Sequence, residues 1–331
     1  MYHLNKALVL GALVAATSAF GHPGHTDTEQ PDKRSVRSPQ QPPAPGDAMH
    51  PEPMERIELP APEFSITIED DKRIIRSNGI PNHATGEFPN KGNPNAIRPL
   101  EHEVTLPLHP VMNTEPVRSG PEFGIAVNGI PFDAGTGEFW SADGRRFQVR
   151  SAWNYEAIGG GVDLGLDENN AHVQPTGKYH YHGLPNDLLS QLGGEQGTRR
   201  MLLIGWAYDG FPIYGPYGYQ ETNDADSKTV ELRSSYQLKK GTRPESPEGP
   251  GGEYDGQFGR DWEYIEGSGD LDECNGRFGV TPEFPEGTYY YVLTNDFPFV
   301  PRLLRGTPSR SAMPNRPPDG QPPQPRLKID H

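Results

Sequence analysis

Three histidines fall within eleven residues of this chain: His172, His180 and His182. They lie in the stretch Asn169-Asn170-Ala171-His172-Val173-Gln174-Pro175-Thr176-Gly177-Lys178-Tyr179-His180-Tyr181-His182-Gly183. Along a β-strand successive side chains point to opposite faces. His180 and His182 therefore share one face, and Tyr179 and Tyr181 share the other. Pro175 suits the second position of a type I turn, and Gly177 suits the left-handed residue of a bulged three-residue hairpin loop. That register pairs His172 with His180 and puts all three imidazoles on one face. A two-residue turn would place His172 among the tyrosines instead, so one residue of register decides the chemistry. Three imidazoles on one ribbon can hold a d-block ion, because imidazole suits both zinc and copper. The plain structural alternative is a strand with packed tyrosines and half-exposed histidines that bind nothing.

A second candidate is the acidic loop Asp270-Leu271-Asp272-Glu273-Cys274-Asn275-Gly276. Close carboxylates in a glycine turn suit calcium, although the spacing is not that of an EF-hand. Cys274 and Asp272 are candidates to complete the histidine site, since a soft thiolate selects copper. Neighbouring acids raise the pKa of a thiol, which argues against a nucleophile. The bland reading of Cys274 is a small buried residue in a turn. His22-Pro23-Gly24-His25 would be a further copper-capturing terminus if the chain were cut after Gly21.

The elements that must position these groups read as β. Strand-like runs occur at 64–68, 73–76, 102–106, 123–127, 146–149, 179–182, 201–207 and 288–294, separated by Gly, Pro, Asn and Asp clusters. Only 186–192 suggests a short helix. The fold class expected is mostly β, a single sandwich- or barrel-like domain with long loops. A weak repeat recurs as Asn78-Gly79-Ile80-Pro81, Asn128-Gly129-Ile130-Pro131 and Asp209-Gly210-Phe211-Pro212. Asn-Gly and Asp-Gly favour tight turns, so these are repeated strand–turn units or loops lining one site. The aromatic run Trp206, Tyr208, Phe211, Tyr214, Tyr217 and Tyr219 reads mostly as core, with a glycan-stacking surface as the alternative.

The ends differ in kind. Residues 1–21 combine a basic start, an apolar stretch and a small-residue exit, the pattern of a signal peptide. Residues 22–63 contain ten prolines and 307–331 contain seven, so both are expected to be disordered tails around a domain at 64–306. The expected location is secreted or periplasmic, with no transmembrane anchor after signal cleavage. With 39 Gly, 37 Pro and 33% hydrophobic residues, the 331-residue chain is not one efficient core. A net charge of −15 excludes a general nucleic-acid binder. One cysteine excludes an intrachain disulfide.

The motif Tyr179-His180-Tyr181-His182, within Asn-Ala-His-Val-Gln-Pro…Tyr-His-Tyr-His-Gly-Leu-Pro, resembles the YHYH domain family of secreted bacterial proteins. The resemblance extends over Asn78–Asn95, Phe123–Trp140, Tyr208–Pro216 and Leu271–Arg277. It implies a secreted location and attention to the histidines, and it implies no reaction. The stretch Tyr289-Tyr290-Tyr291 offers no fourth imidazole. Two functions follow. One is a metal-binding protein using the hairpin, with copper ahead of zinc. The other is a non-catalytic extracellular module that binds glycan or protein. No general base or substrate pocket is legible, so no catalysis is assigned.

Overall fold

The computed structural model describes residues 52–146, 151–194 and 198–311. The signal-like segment, His22, His25, most of the 22–63 stretch, the run expected at 146–149 beyond Arg146, and residues 312–331 lie outside the described residues. Residues 52–63 have no regular structure, yet they run along the domain: Met54 N donates to Pro94 O and Glu63 N to Asn78 Oδ1.

The fold is mostly β, as the alternating patterns predict. In chain order the strands are β1 Phe64–Glu69, β2 Lys72–Ser77, β3 His102–Pro107, β4 Met112–Arg118, β5 Glu122–Ala126, β6 Pro131–Asp133, β7 Ala171–Val173 and β8 Tyr179–Tyr181. A single-turn helix follows, α1 Asn186–Gln191. Then come β9 Leu203–Ala207, β10 Pro212–Tyr214, β11 Tyr217–Tyr219, β12 Thr229–Glu231, β13 Tyr236–Leu238, β14 Trp262–Tyr264, β15 Gly276–Gly279, β16 Thr288–Val292 and β17 Leu303–Gly306. Eight strands form one mixed sheet in the order β15-β16-β10-β9-β5-β6-β8-β7. The pairs β10–β16 and β6–β8 are parallel, and the rest of this sheet is antiparallel. Smaller sheets are β1-β2-β3, β11-β12, β13-β14 and β17-β4.

Two copies of the repeat are hairpin turns. At Asn128-Gly129, Gly129 N donates to Ala126 O and Ala126 N to Ile130 O, joining β5 to β6. At Asp209-Gly210, Gly210 N donates to Ala207 O and Ala207 N to Phe211 O, joining β9 to β10. The glycines sit at φ 77° and 96°, where a side chain is strained. The first copy, at Asn78-Gly79, is a turn but not a hairpin. It leads instead into the loop that carries Asn82 and His83.

The core explains why the tyrosines of the hairpin are fixed. Tyr179 and Tyr181 are fully buried and pack in one cluster with Phe123, Phe132, Ile204, Ile213 and Tyr291. Burial of such rings is worth a few kcal/mol each. Trp206, Tyr208, Phe211 and Tyr214 are buried too, as core residues, while Tyr217 and Tyr219 are half-buried. Among the described residues no helix is long and apolar enough to cross a membrane.

A candidate metal centre of three histidines

The hairpin has the register that the bulged turn predicts. Ala171 faces Tyr181, His172 faces His180, and Val173 faces Tyr179. Gly177 N donates to Gln174 O and Gln174 N to Lys178 O, with Gly177 at φ 88°. His182 N donates to Asn170 O, which carries the ladder one residue past β8. His172, His180 and His182 therefore lie together on one face.

Two of the three histidines are not half-exposed. His180 is 1% and His182 5% exposed, and His172 is half-buried. Their Nε2 atoms converge: His180 to His182 is 3.0 Å, and His182 to His172 is 3.1 Å. A tetrahedral ion with nitrogen bonds near 2.0 Å spaces its ligands by ~3.3 Å. The three imidazoles therefore stand almost at coordination distance.

The far ring nitrogens of two of the histidines set their tautomers. His172 Nδ1 lies 3.0 Å from Leu164 O, and His180 Nδ1 lies 3.1 Å from Lys178 O. A carbonyl only accepts, so each Nδ1 carries the proton and each Nε2 presents a bare lone pair. The His182 ring has its own main-chain partner in Asp133. A neutral His182 with its proton on Nε2 would donate to one neighbour. With Nε2 of His182 also bare, the rings set lone pairs against each other at van der Waals range, and a cation between them relieves this. A proton is a poor candidate, because burial drives His180 and His182 well below the usual imidazole value and each is depressed further by its neighbours. Burial lowers His172 as well. A metal ion needs neutral imidazole with an oriented ring, and carbonyls on the far nitrogens supply that orientation.

The opposite face of the ribbon is anchored by polar contacts. Tyr179 OH donates to Asp167 Oδ2 at 2.7 Å. Asp167 also accepts from Gly86 N, Asn169 N and Ala171 N. Tyr181 OH lies 2.6 Å from His83 Nε2 and accepts from Asn128 Nδ2 at 2.9 Å. Two loops of the repeat thus meet at one phenol.

Beside His182 is a small cleft. Asp133, Glu156, Ala157, Phe299 and Arg302 are among its walls. Arg302 donates from Nε to Ala134 O at 3.0 Å and from Nη2 to Glu156 Oε2 at 2.6 Å. Burial pushes Asp133 up to about 7 and raises Glu156, which the adjacent Arg302 opposes.

Among the described residues His172, His180 and His182 form the group of three or more that could hold a metal. Cys274 and Asp272 are not in it. They precede β15, at the sheet edge opposite β7. Asp272 accepts from Cys274 N, Gly276 N, Tyr289 OH and Arg305 Nη2, and Asp270 accepts from Arg233. These carboxylates are already occupied within the chain. Cys274 is buried, and burial with Asp272 alongside pushes its thiol up to about 12, the direction the flanking acids predict.

Sequence reasoning did not find His83, Asp133, Asp167 or Arg302. Only His83 carried a signal, as a lone histidine four residues past the first Asn-Gly. Asp133 and Arg302 are brought to the hairpin by tertiary contacts alone, whereas Asp167 bonds the start of β7 locally, through Asn169 N and Ala171 N.

The family model for YHYH proteins matches residues 103–306, which is more than half of the chain. The chain belongs to the YHYH protein family. No curated protein and no solved structure matches it.

Proposed function

We propose that this is an exported metal-binding protein that holds one copper ion on His172, His180 and His182, with zinc the second choice. The observation that supports it is the convergence of three Nε2 atoms, two of them on rings whose far nitrogens are committed to carbonyls. Copper stands ahead of zinc because divalent copper outranks zinc at nitrogen donors generally. Three protein ligands leave one position for an outside molecule. Export rests on the signal-like segment at 1–21.

The test is elemental analysis of the mature protein, purified without a His tag or chelator, beside the His180→Ala/His182→Ala variant. The expected result is near-stoichiometric copper that is lost in the variant. Zinc in its place would keep the site and change the ion. No metal after reconstitution would overturn the reading and return attention to glycan or protein partners.

A further inference from the structure

The apolar residues of β1 face solvent. Phe64, Ile66 and Ile68 are 41%, 37% and 62% exposed. They stand opposite Ser77, Ile75 and Arg73 of β2, and directly opposite residues share a face. That is the face on which Ile75 packs with Ile125 and Trp206, so the β1 row overhangs the packed layer. β1 is also an edge strand, paired to β2 on one side and, among the described residues, to nothing on the other. Proteins blunt such edges with Lys, Pro, a bulge or a covering loop. β3, the opposite edge of the same small sheet, has Ser309 and Ser311 bonded to Thr105. β1 has no Lys or Pro, and its register with β2 is unbroken.

The far side of this sheet fixes which main-chain groups lie on the open edge. Thr105 N donates to Ser311 Oγ, and Thr105 O accepts from Ser309 and Ser311, so the Thr105 main chain points away from β2. Ile74, opposite Thr105, therefore points its main chain toward β1, where Thr67 meets it. Antiparallel ladders alternate residue by residue. Ser65, Thr67 and Glu69 thus bond β2, and Phe64, Ile66 and Ile68 present their N–H and C=O groups to the open edge. The bond from Asn78 N to Glu63 O continues the alternation. Three outward residues spaced by two and centred on Ile66 are self-complementary. With a second copy laid antiparallel and Ile66 opposite Ile66, Phe64 falls opposite Ile68 and Ile68 opposite Phe64. All six outward groups of each strand are then bonded. The apolar side chains join in one row, and Ser65 meets Thr67 on the other face. A register shifted by two would leave Phe64 facing the turn at Asp70.

We propose that β1 is a self-association edge: two copies of this chain pair β1 with β1 about a two-fold axis at Ile66, joining two three-stranded sheets into one of six strands. Such an interface is isologous and closed, so it stops at the dimer. It engages six residues a side, against roughly 20–30 in a standard interface, so the dimer is weak. Its dissociation constant falls between about 10 μM and about 1 mM. The inference is independent of the metal.

The experiment is sedimentation equilibrium of the full mature chain from about 10 μM to about 1 mM. The expected result is a mass that rises from monomer toward dimer with concentration. Ile66→Lys places two like charges face to face at the axis, and this variant should stay monomeric throughout. Cross-linking tests the register and decides the question if Ile66→Lys does not fold. Directly opposite residues lie about 5.5 Å apart at Cα, within disulfide reach. Under mild oxidation Ile66→Cys should therefore form a linked dimer at least tenfold faster than Ile68→Cys, whose two copies lie roughly 13 Å apart along the strands. The native Cys274 is buried and does not compete. A monomer at every concentration, a dimer that Ile66→Lys leaves intact, or cross-linking at Ile68→Cys as fast as at Ile66→Cys would each overturn the proposal.

Discussion

The phenol oxygen of Tyr181 lies 2.6 Å from Nε2 of His83, 98 residues away in the chain. This contact ties the back of the histidine hairpin to the loop that follows the first Asn-Gly turn. His83 Nδ1 in turn faces Ala84 O at 2.8 Å, so His83 Nε2 accepts and Tyr181 donates. The strand that carries the histidines is therefore gripped from behind by its tyrosines.

Tyr181→Phe should test that grip. It removes one hydroxyl and leaves His83 and Asn128 without their buried partner. The expected cost is about 1–3 kcal/mol of unfolding free energy, the range for an orphaned buried group. Metal should still bind, at up to ~10-fold lower affinity, as for other groups that orient ligands. Urea unfolding and a competition titration measure the two effects. An unchanged unfolding midpoint would show that the contact is idle.

Gly177→Ala should damage the metal site from a distance. Gly177 has φ 88°, and an added Cβ would sit 2.4 Å from Arg98 Cβ. Both strain and collision oppose the bulged turn that sets the register. The predicted outcome is at least tenfold weaker metal binding together with reduced stability. Full retention of both would mean that the turn does not set the register.

Metal removal should lower thermal stability. An ion that binds only the folded state adds about 2.7 kcal/mol at a hundred times its dissociation constant. Chelation should therefore lower the melting temperature of the parent protein and leave that of His180→Ala/His182→Ala unchanged. An equal response in both would place the stabilising ion elsewhere.

A separate pH effect belongs to Asp209. Its carboxyl is buried, and burial pushes it up to about 6 even though Tyr291 OH and Gly306 N donate to it at 2.5 and 2.8 Å. The unfolded chain releases this proton near 3.8, the folded chain near 6. Between those values the native state binds more protons, so stability falls as pH rises from about 4 to about 6 and is level above. The drop is on the order of 2–3 kcal/mol, from 1.36 kcal/mol per pKa unit. Urea unfolding of metal-free protein across this range should show it. Asp209→Asn should flatten the slope even if its overall stability is lower, and an equally steep slope in that variant would assign the effect to other groups.

Much of the hairpin was legible before any fold was known. Strand alternation and the Pro-x-Gly turn are local, and local rules give the pairing of His172 with His180. The short helix and the strands at 64–68, 73–76 and 102–106 follow from equally local patterns. What was not legible is long-range. β4, β6 and β17 are short or polar strands that pair only because the sheets bring partners to them. The burial of the histidines depends on Leu164 and on the Asp133 and Arg302 segments, none of which alternation can place. Cys274 and Asp272 looked like donors because residue type suggests ligands. The donors that occupy the Asp272 carboxylate, Tyr289 and Arg305, lie too far along the sequence to be seen.

X-ray absorption at the metal edge of the copper-loaded protein tests the central claim most directly. Three imidazole nitrogens at about 2.0 Å, completed by one light atom and with no sulfur, are expected around the ion. Fewer imidazoles, or a sulfur scatterer from Cys274, would contradict the three-histidine site.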